Sequence, residues 1–173
     1  MNIDITIQKA TPEDAHEIGE VFYKTWLATY PNEEFGVTVD DIEDIWKDRK
    51  NRDGSRFKDF KDYELFLTAK SDDHVIGVCS LIKHLDKNEL KAIYILPEYQ
   101  RKGVGKMFWN EALKFFDPKK DIMIKVAVYN SKAIEFYKKL GFKDTGKKFL
   151  EERFRMKSGA IIPEIEMLIS VRE

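Results

Sequence analysis

Residues 90–106 constrain the fold of this chain more than any other stretch, because they predict a strand, a glycine turn and a helix in immediate succession. The β-branched Ile93 and Ile95 indicate a buried strand, and a turn with Gly103 and Gly105 leads from it into an amphipathic segment. This order points the unpaired N–H groups of the first helical turn, and the positive end of the helix dipole, at one place in solvent. The stretch therefore predicts a binding site for a phosphate or diphosphate, whose approach to the backbone the glycines would allow.

Two common phosphate-binding motifs do not fit this turn. Met107 stands where a Walker A loop needs Ser or Thr, and Phe108 stands where a dinucleotide-binding fingerprint needs its third glycine. The pattern that remains, Gln100-x-x-Gly103-x-Gly105, resembles the coenzyme A loop of the GNAT family of N-acetyltransferases. A glycine-rich turn that only begins a helix is the alternative at this point.

A second motif favours the resemblance over that alternative. The strand predicted at 122–128 is followed by the pattern Asn130-x-x-Ala133-x-x-Phe136-Tyr137-x-x-x-Gly141-Phe142. Its apolar residues share one helix face, and its asparagine is a good N-cap. The pattern resembles the second half of the same family's cofactor site, so that the resemblance covers essentially the whole chain.

Composition and charge narrow the setting of the protein. The 173 residues suit a single domain, 1–173, that is long enough for a core of its own. A net charge of −1 gives no reason to expect nucleic acid or a membrane as a partner, and we find neither a membrane-length apolar run nor a signal peptide. The lone Cys79 and three histidines without metal-binding spacing suit a cytoplasmic protein that needs no metal.

The order of the predicted elements agrees with the fold that the resemblance implies. Strands are predicted near 4–9, 63–69, 74–83 and 122–128, with a further strand directly before the glycine turn and two more on either side of a turn at 157–159. Helices are predicted from 11 to before 31, near 40–46, and at 104–116 and 131–140. The polar stretch 47–61 is predicted to be the least structured part. The expected architecture is an α/β fold with a mixed, mostly antiparallel sheet of about seven strands, splayed at the cofactor site, with helices on both faces.

The resemblance implies acetyl-CoA as the co-substrate and indicates which residues hold it. The implied contacts are the backbone of Ile93, Tyr94 and Ile95 for the pantetheine arm, the turn of Gln100, Arg101, Lys102, Gly103, Val104, Gly105 and Lys106 for the diphosphate, and Asn130. The cationic side chains of the turn either approach the phosphates or form a solvated surface. The asparagine either bonds the pantetheine arm or only caps its helix.

Acetyl transfer from a thioester to an amine needs a proton for the departing thiolate, a group that stabilises the oxyanion, and a neutral amine. Tyr137 is the candidate acid, because a phenol stays protonated at neutral pH. It also matches the position of the tyrosine acid in the family that the chain resembles; a purely core-facing ring is the alternative. A strand N–H near Ile95 would stabilise the oxyanion. Glu89 is the first candidate for the base and Glu98 the second, unless both are ordinary surface carboxylates or waters carry the proton.

The acceptor side is expected at the first two helices and the loop between them. Tyr23, Trp26, Tyr30 and Phe35 are the candidate lining residues, with the core as the alternative location of these aromatic rings. An acidic cluster at 33–44 would attract a cationic acceptor such as a polyamine, or it is a solvated helix start.

The sequence therefore predicts an N-acetyltransferase that acts on a primary amine, either a small molecule such as a polyamine or a peptide N-terminus. A non-catalytic acyl-CoA-binding or regulatory module of the same fold is the alternative. Whether the chain forms a homodimer stays open.

Overall fold

One seven-stranded sheet organises the chain, and the computed structural model describes residues 4–171 of it. Its strands are β1 (Ile5–Lys9), β2 (Glu64–Ser71), β3 (His74–Lys83), β4 (Asn88–Ile95), β5 (Ile122–Ala127), β6 (Lys143–Phe149) and β7 (Glu164–Ile169). They lie in the order β1-β2-β3-β4-β5-β7-β6, and every pair is antiparallel except β4 and β5. The predicted mixed, mostly antiparallel sheet is confirmed.

Four α-helices cover the two faces of this sheet: α1 (Ala15–Thr29), α2 (Val39–Arg49), α3 (Val104–Phe115) and α4 (Ser131–Lys139). Helix α1 packs on one face, where the rings of Phe22 and Tyr94 lie 5.1 Å apart. Helix α3 packs on the other, so closely that a Cβ on Gly77 of β3 would lie 3.2 Å from Phe108. Helix α2 packs against α1. No helix within 4–171 combines the length and the apolar character that crossing a bilayer requires.

The parting of β4 from β5 is the feature of the fold that matters most for function. These parallel strands pair only through Asn88 with Ile122 and Glu89 with Met123. A bulge at Lys91 shifts the register of β4 against β3 just beyond those pairs, and bulges bend a strand and increase its twist. From there the edge of β4 that faces β5 has no strand partner among residues 4–171, as the resemblance implied.

Asn88 anchors the closed end of this parting. Its side chain is fully buried, donates hydrogen bonds to the carbonyls of Asp117 (2.9 Å) and Lys120 (3.1 Å), and accepts one from the N–H of Asp117 (3.1 Å). These three bonds hold the start of β4 to the connection between α3 and β5. The two strands are therefore fixed at one end and separate at the other.

Two local expectations are corrected by the structure. The stretch 47–61 is more ordered than predicted, since α2 continues to Arg49 and Phe57 is buried in the core. Gly54 permits this, because its φ is +73° and a Cβ there would lie 2.5 Å from the carbonyl of Pro12. The turn at 157–159 exists, but it lies within a longer connection, 150–163, where Ser158 bonds Asp41 of α2 instead of closing a tight hairpin.

Candidate functional site

The opening of α3 presents a row of unpaired backbone N–H groups. The first bond of the helix is donated by Met107 to the carbonyl of Gly103, at 3.1 Å. The N–H groups of residues 101–106 have no hydrogen-bond partner within 4–171. Arg101 and Gly103 both have positive φ, +62° and +86°, and a Cβ on Gly103 would meet nothing within 4 Å. The turn is therefore an open, electropositive cradle with the properties of an anion site.

The second glycine of the turn has a different structural reason. A Cβ on Gly105 would lie 2.9 Å from Phe136 Cζ of α4, which is closer than such contacts allow. Gly105 thus lets α3 and α4 pack tightly, while Gly103 provides the left-handed turn and the open space in front of it. The two halves of the sequence motif meet at this contact.

The side chains around the cradle are held to different degrees. Gln100 donates from Nε2 to the carbonyl of Ile95 at 3.0 Å, which ties the turn to the end of β4. Lys102 lies 5.0 Å from the ring centre of Tyr99, and Arg101 and Lys106 are exposed. Asn130 caps α4, because its Oδ1 accepts from the N–H of Ala133 at 3.2 Å.

Three tyrosines converge beside the part of β4 that is separated from β5. The hydroxyls of Tyr30 and Tyr94 lie 3.1 Å apart, and Tyr137 is near enough to both for the hydroxyls to interact electrostatically. Burial, more than these mutual interactions, raises the pKa of all three. Each phenol therefore keeps its proton at neutral pH.

Tyr137 combines a buried ring with an accessible hydroxyl. The residue is 4% exposed, and its ring lies 5.3 Å from Phe136 and 5.7 Å from Phe142. Its hydroxyl forms no hydrogen bond within the described chain, yet it is not among the fully enclosed polar atoms that lack a partner there, which are Trp26 Nε1 and Thr68 Oγ1. The hydroxyl is therefore not fully enclosed and has no partner within 4–171.

The predicted acceptor residues divide into two groups. Tyr30 contacts Tyr94, and Phe35 stacks on Tyr129 at 5.2 Å, so both lie beside the parting. Tyr129 also holds Tyr30 in place, because its hydroxyl donates to the carbonyl of Tyr30 at 2.9 Å. Tyr23 instead stacks on Trp46 of α2 at 5.0 Å, away from β4. The ring of Trp26 lies between the two groups, 5.3 Å from Tyr30 and 6.2 Å from Tyr94.

Glu164, which the sequence did not indicate, lies across the parting from Tyr30 and Tyr94. It begins β7 opposite Ala127 and shares its face of the sheet with Lys125 and Glu166, while the alternate residues of β7 belong to the core. Burial raises the pKa of Glu164, the charges of Glu151 and Glu89 raise it further, and that of Lys125 opposes them.

Among these carboxylates, only Glu164 is uncommitted within the described residues. Glu89 is bonded to Nε2 of His84 at 2.6 Å, and Glu151 is paired with both Lys125 and Arg153. The carboxylate of Glu164 has no hydrogen bond or ion pair within 4–171. No spacing in the sequence indicates such a residue, because a glutamate at the start of a strand resembles any surface position.

The acidic cluster at 33–44 is partly neutralised. Asp41 accepts hydrogen bonds from Thr38 and Ser158, and Asp44 faces Lys47 at 3.6 Å and Lys157 at 3.3 Å. These aspartates belong to the attachment of α2, so the attraction for a cation that the sequence indicated is weaker than the count of acids implies.

Comparison with known proteins places this site in a family. Residues 19–142 match the model of the acetyltransferase (GNAT) family. The spermidine N(1)-acetyltransferase of Thermoplasma acidophilum is 32% identical over 162 residues, which cover 87% of this chain and 98% of that protein. The chain therefore belongs to the GNAT family and is an N-acetyltransferase.

Solved structures agree with this assignment. The crystal structure of the PaiA N-acetyltransferase of Thermoplasma acidophilum in complex with coenzyme A superimposes with a TM-score of 0.66 at 29% identity, over 94% of this chain and 98% of that one. A solution structure of the apo form of YjaB from Escherichia coli gives 0.67 at 19% identity, over 96% of this chain and 97% of that one, which supports the fold alone. Both the family and the fold expected from the sequence are confirmed.

The raised pKa of Glu164 has a measurable cost in stability. Because the folded protein holds this proton more tightly than the unfolded chain, the carboxyl's contribution to the free energy of unfolding is complete below its ordinary pKa of 4.5 and is lost as the pH rises through the raised value. Glu164→Gln should therefore be more stable than the wild type near pH 8, and the gain should shrink towards pH 4. Urea unfolding at both pH values measures this.

Glu166→Gln is the matched control on the same face. It removes a carboxylate that accepts from Thr145 at 3.1 Å and pairs with Lys147 at 3.2 Å, so it should give no gain at pH 8. A Glu164→Gln protein that is less stable than the wild type at pH 8 would contradict the unfavourable burial of this charge.

Proposed function

We propose that this N-acetyltransferase transfers the acetyl group of acetyl-CoA to a primary amine of a small cationic molecule, with polyamines as the leading acceptor class. The observation that carries the proposal is Glu164, a carboxylate without a hydrogen bond or ion pair within 4–171 that lies across the parting from Tyr30 and Tyr94. A desolvated carboxylate beside aromatic rings suits an alkylammonium group, which gains both charge pairing and ring contacts. The similarity to a spermidine N(1)-acetyltransferase supports the same class.

The donor side fits coenzyme A. The amides at the opening of α3 suit a diphosphate, and the unpaired edge of β4 between Leu90 and Ile95 suits the amide groups of a pantetheine arm. When bound there, acetyl-CoA would supply a thioester carbonyl activated for attack by an amine. Backbone N–H groups of β4 near Ile95 would donate to the carbonyl oxygen as negative charge develops on it.

Glu164 provides the base in this proposal. It first pairs with the incoming ammonium and then takes its proton, for which a raised carboxyl pKa is favourable. The neutral amine forms the new N–C bond as the C–S bond breaks, and the proton that its nitrogen loses on becoming an amide replaces the one that Tyr137 gives to the departing thiolate. Glu89 remains the alternative base, but its carboxylate is already bonded to His84 and lies at the closed end of the parting.

Tyr137 provides the acid. Its phenol keeps its proton at neutral pH and has no internal partner within the described residues, so it can donate to the departing thiolate sulfur. The ring's packing against Phe136 and Phe142 fixes the direction of the hydroxyl.

The direct test of the proposal is a thiol-release assay with acetyl-CoA and a panel of acceptors. Spermidine and spermine should be acetylated with the highest kcat/KM, and amino acids and neutral amines with lower values. A peptide with a free N-terminus as the best substrate would overturn the polyamine proposal. Saturable coenzyme A binding with no turnover on any amine would support the non-catalytic module instead.

Tyr137→Phe tests the acid. Because the substitution removes only the hydroxyl from a packed ring, kcat should fall about 10²-fold or more while coenzyme A affinity stays nearly unchanged. Tyr63→Phe, at a tyrosine that is 54% exposed, is the control and should leave both quantities as they are. An unchanged kcat in Tyr137→Phe would remove the residue from the mechanism.

Gly103→Ala tests the cradle. The methyl group would enter the open space in front of the unpaired amides, so coenzyme A affinity in calorimetry should fall by at least about tenfold. Gly159→Ala imposes the same kind of backbone strain in a remote turn, where φ is +91° and a Cβ also meets nothing within 4 Å. Both variants should lose about 1 kcal/mol of stability, and only Gly103→Ala should lose affinity. Equal affinities would contradict the assignment of the cradle.

A further inference from the structure

We propose a second binding site, for a small amphipathic carboxylate, in the cavity between α1 and α2. The cavity has a volume of about 360 Å³ and is lined by residues of α1, α2, segment 52–57 and Phe66 of β2. No residue of β4, β5, β7, α3 or α4 lines it, so it is separate from the parting where acetyl transfer is proposed. The inference does not depend on the proposed acceptor.

The walls of the cavity are apolar and mostly aromatic. Phe22 and Tyr23 of α1, Trp46 of α2 and Phe57 of the following segment contribute to them. The stacked rings of Tyr23 and Trp46, 5.0 Å apart with planes 15° from parallel, form one rigid side. A cavity of this volume lies within the range of small-molecule sites, and such walls favour an apolar ligand body.

Three arginines are gathered at this cavity. Arg49, Arg52 and Arg56 all line it, and none forms an ion pair with another residue of 4–171. The one carboxylate of the lining, Asp53, is already bonded to the N–H of Ser55 at 2.9 Å. Burial lowers the pKa of Arg49, and the neighbouring charge of Arg52 lowers it further.

The arrangement of these guanidinium groups leaves their donors available. Arg49 lies over Trp26 at 5.7 Å, and Arg56 lies over Phe57 at 5.2 Å and Phe66 at 5.4 Å. Stacking uses the flat face of a guanidinium, while its N–H groups point outward along the edges. A carboxylate is the group that such edges bind with two parallel hydrogen bonds. Stacked arginines at an apolar cavity therefore select a ligand with an apolar body and an anionic head.

The same charges exclude the alternative that the cavity holds the cationic acceptor. A polyamine would meet three like charges here, whereas Glu164 and its neighbouring carboxylates lie across the parting. Tyr23 and Trp26, expected from the sequence at the acceptor side, contribute to this cavity.

Calorimetric titration without acetyl-CoA tests the site, with octanoate as the probe. Octanoate should bind saturably, 1-octanol of the same chain length should bind more weakly, and octylammonium should not bind. Arg52→Gln should weaken octanoate binding roughly five- to tenfold, the loss expected for one charge-assisted hydrogen bond, and Arg49→Gln/Arg52→Gln should weaken it further. Lys50→Gln, which removes an equal charge from a neighbouring residue outside the lining, should leave the affinity unchanged.

The folding of each variant is checked by urea unfolding. Arg52 is exposed and stacks on no ring, so its substitution should not change stability, and a loss of affinity there reports on the ligand. Absence of saturable octanoate binding, equal binding of octanoate and octylammonium, or equal affinities of the wild type and the double variant would each overturn the proposal.

Discussion

The early end of pairing between β4 and β5 is the constraint on which the rest of this structure depends. Two residue pairs hold the strands together, the bulge at Lys91 then bends β4, and Asn88 keeps the closed end in place through three buried hydrogen bonds. An unpaired strand edge inside a sheet leaves backbone groups without partners, which is costly unless a ligand or water pairs with them. Tyr94 lies on the separated part of β4, and both Tyr137 and Glu164 are close enough to its hydroxyl to interact with it electrostatically.

Polar groups of different charge lie in three separate parts of the molecule. The opening of α3 offers N–H groups and cationic side chains, the side of the parting at β7 offers carboxylates, and the cavity between α1 and α2 is bordered by arginines. In each of these places some groups have no hydrogen-bond or ion-pair partner within 4–171, namely the amides of residues 101–106, the carboxylate of Glu164 and the side chains of the three arginines. Unpaired charge and unpaired amides reduce stability, so their occurrence in these three places supports the binding roles proposed above.

The sequence predicted the features that arise from local pattern. The glycine turn, the capped helix with Tyr137 and the succession of strands and helices along the chain follow from residues close together in the sequence, and the structure has them where they were expected. It did not predict Glu164 or the arginine cavity, because these bring together residues from distant segments whose individual positions look like ordinary surface. The order within segment 47–61, predicted as the least structured part, was underestimated for a related reason, since a single buried phenylalanine and one left-handed glycine are weak signals within a polar stretch.

The most direct measurement of the central claim is the response of individual backbone amides to coenzyme A, followed by two-dimensional ¹⁵N NMR. The account predicts that the largest shifts fall on the amides of residues 101–106 and on those amides between Leu90 and Ile95 that face β5, because these N–H groups lack partners within residues 4–171. Pantetheine, which lacks both the diphosphate and the phosphorylated adenosine of coenzyme A, should shift the strand amides alone. Saturable binding that leaves the amides of 101–106 unmoved would contradict the account.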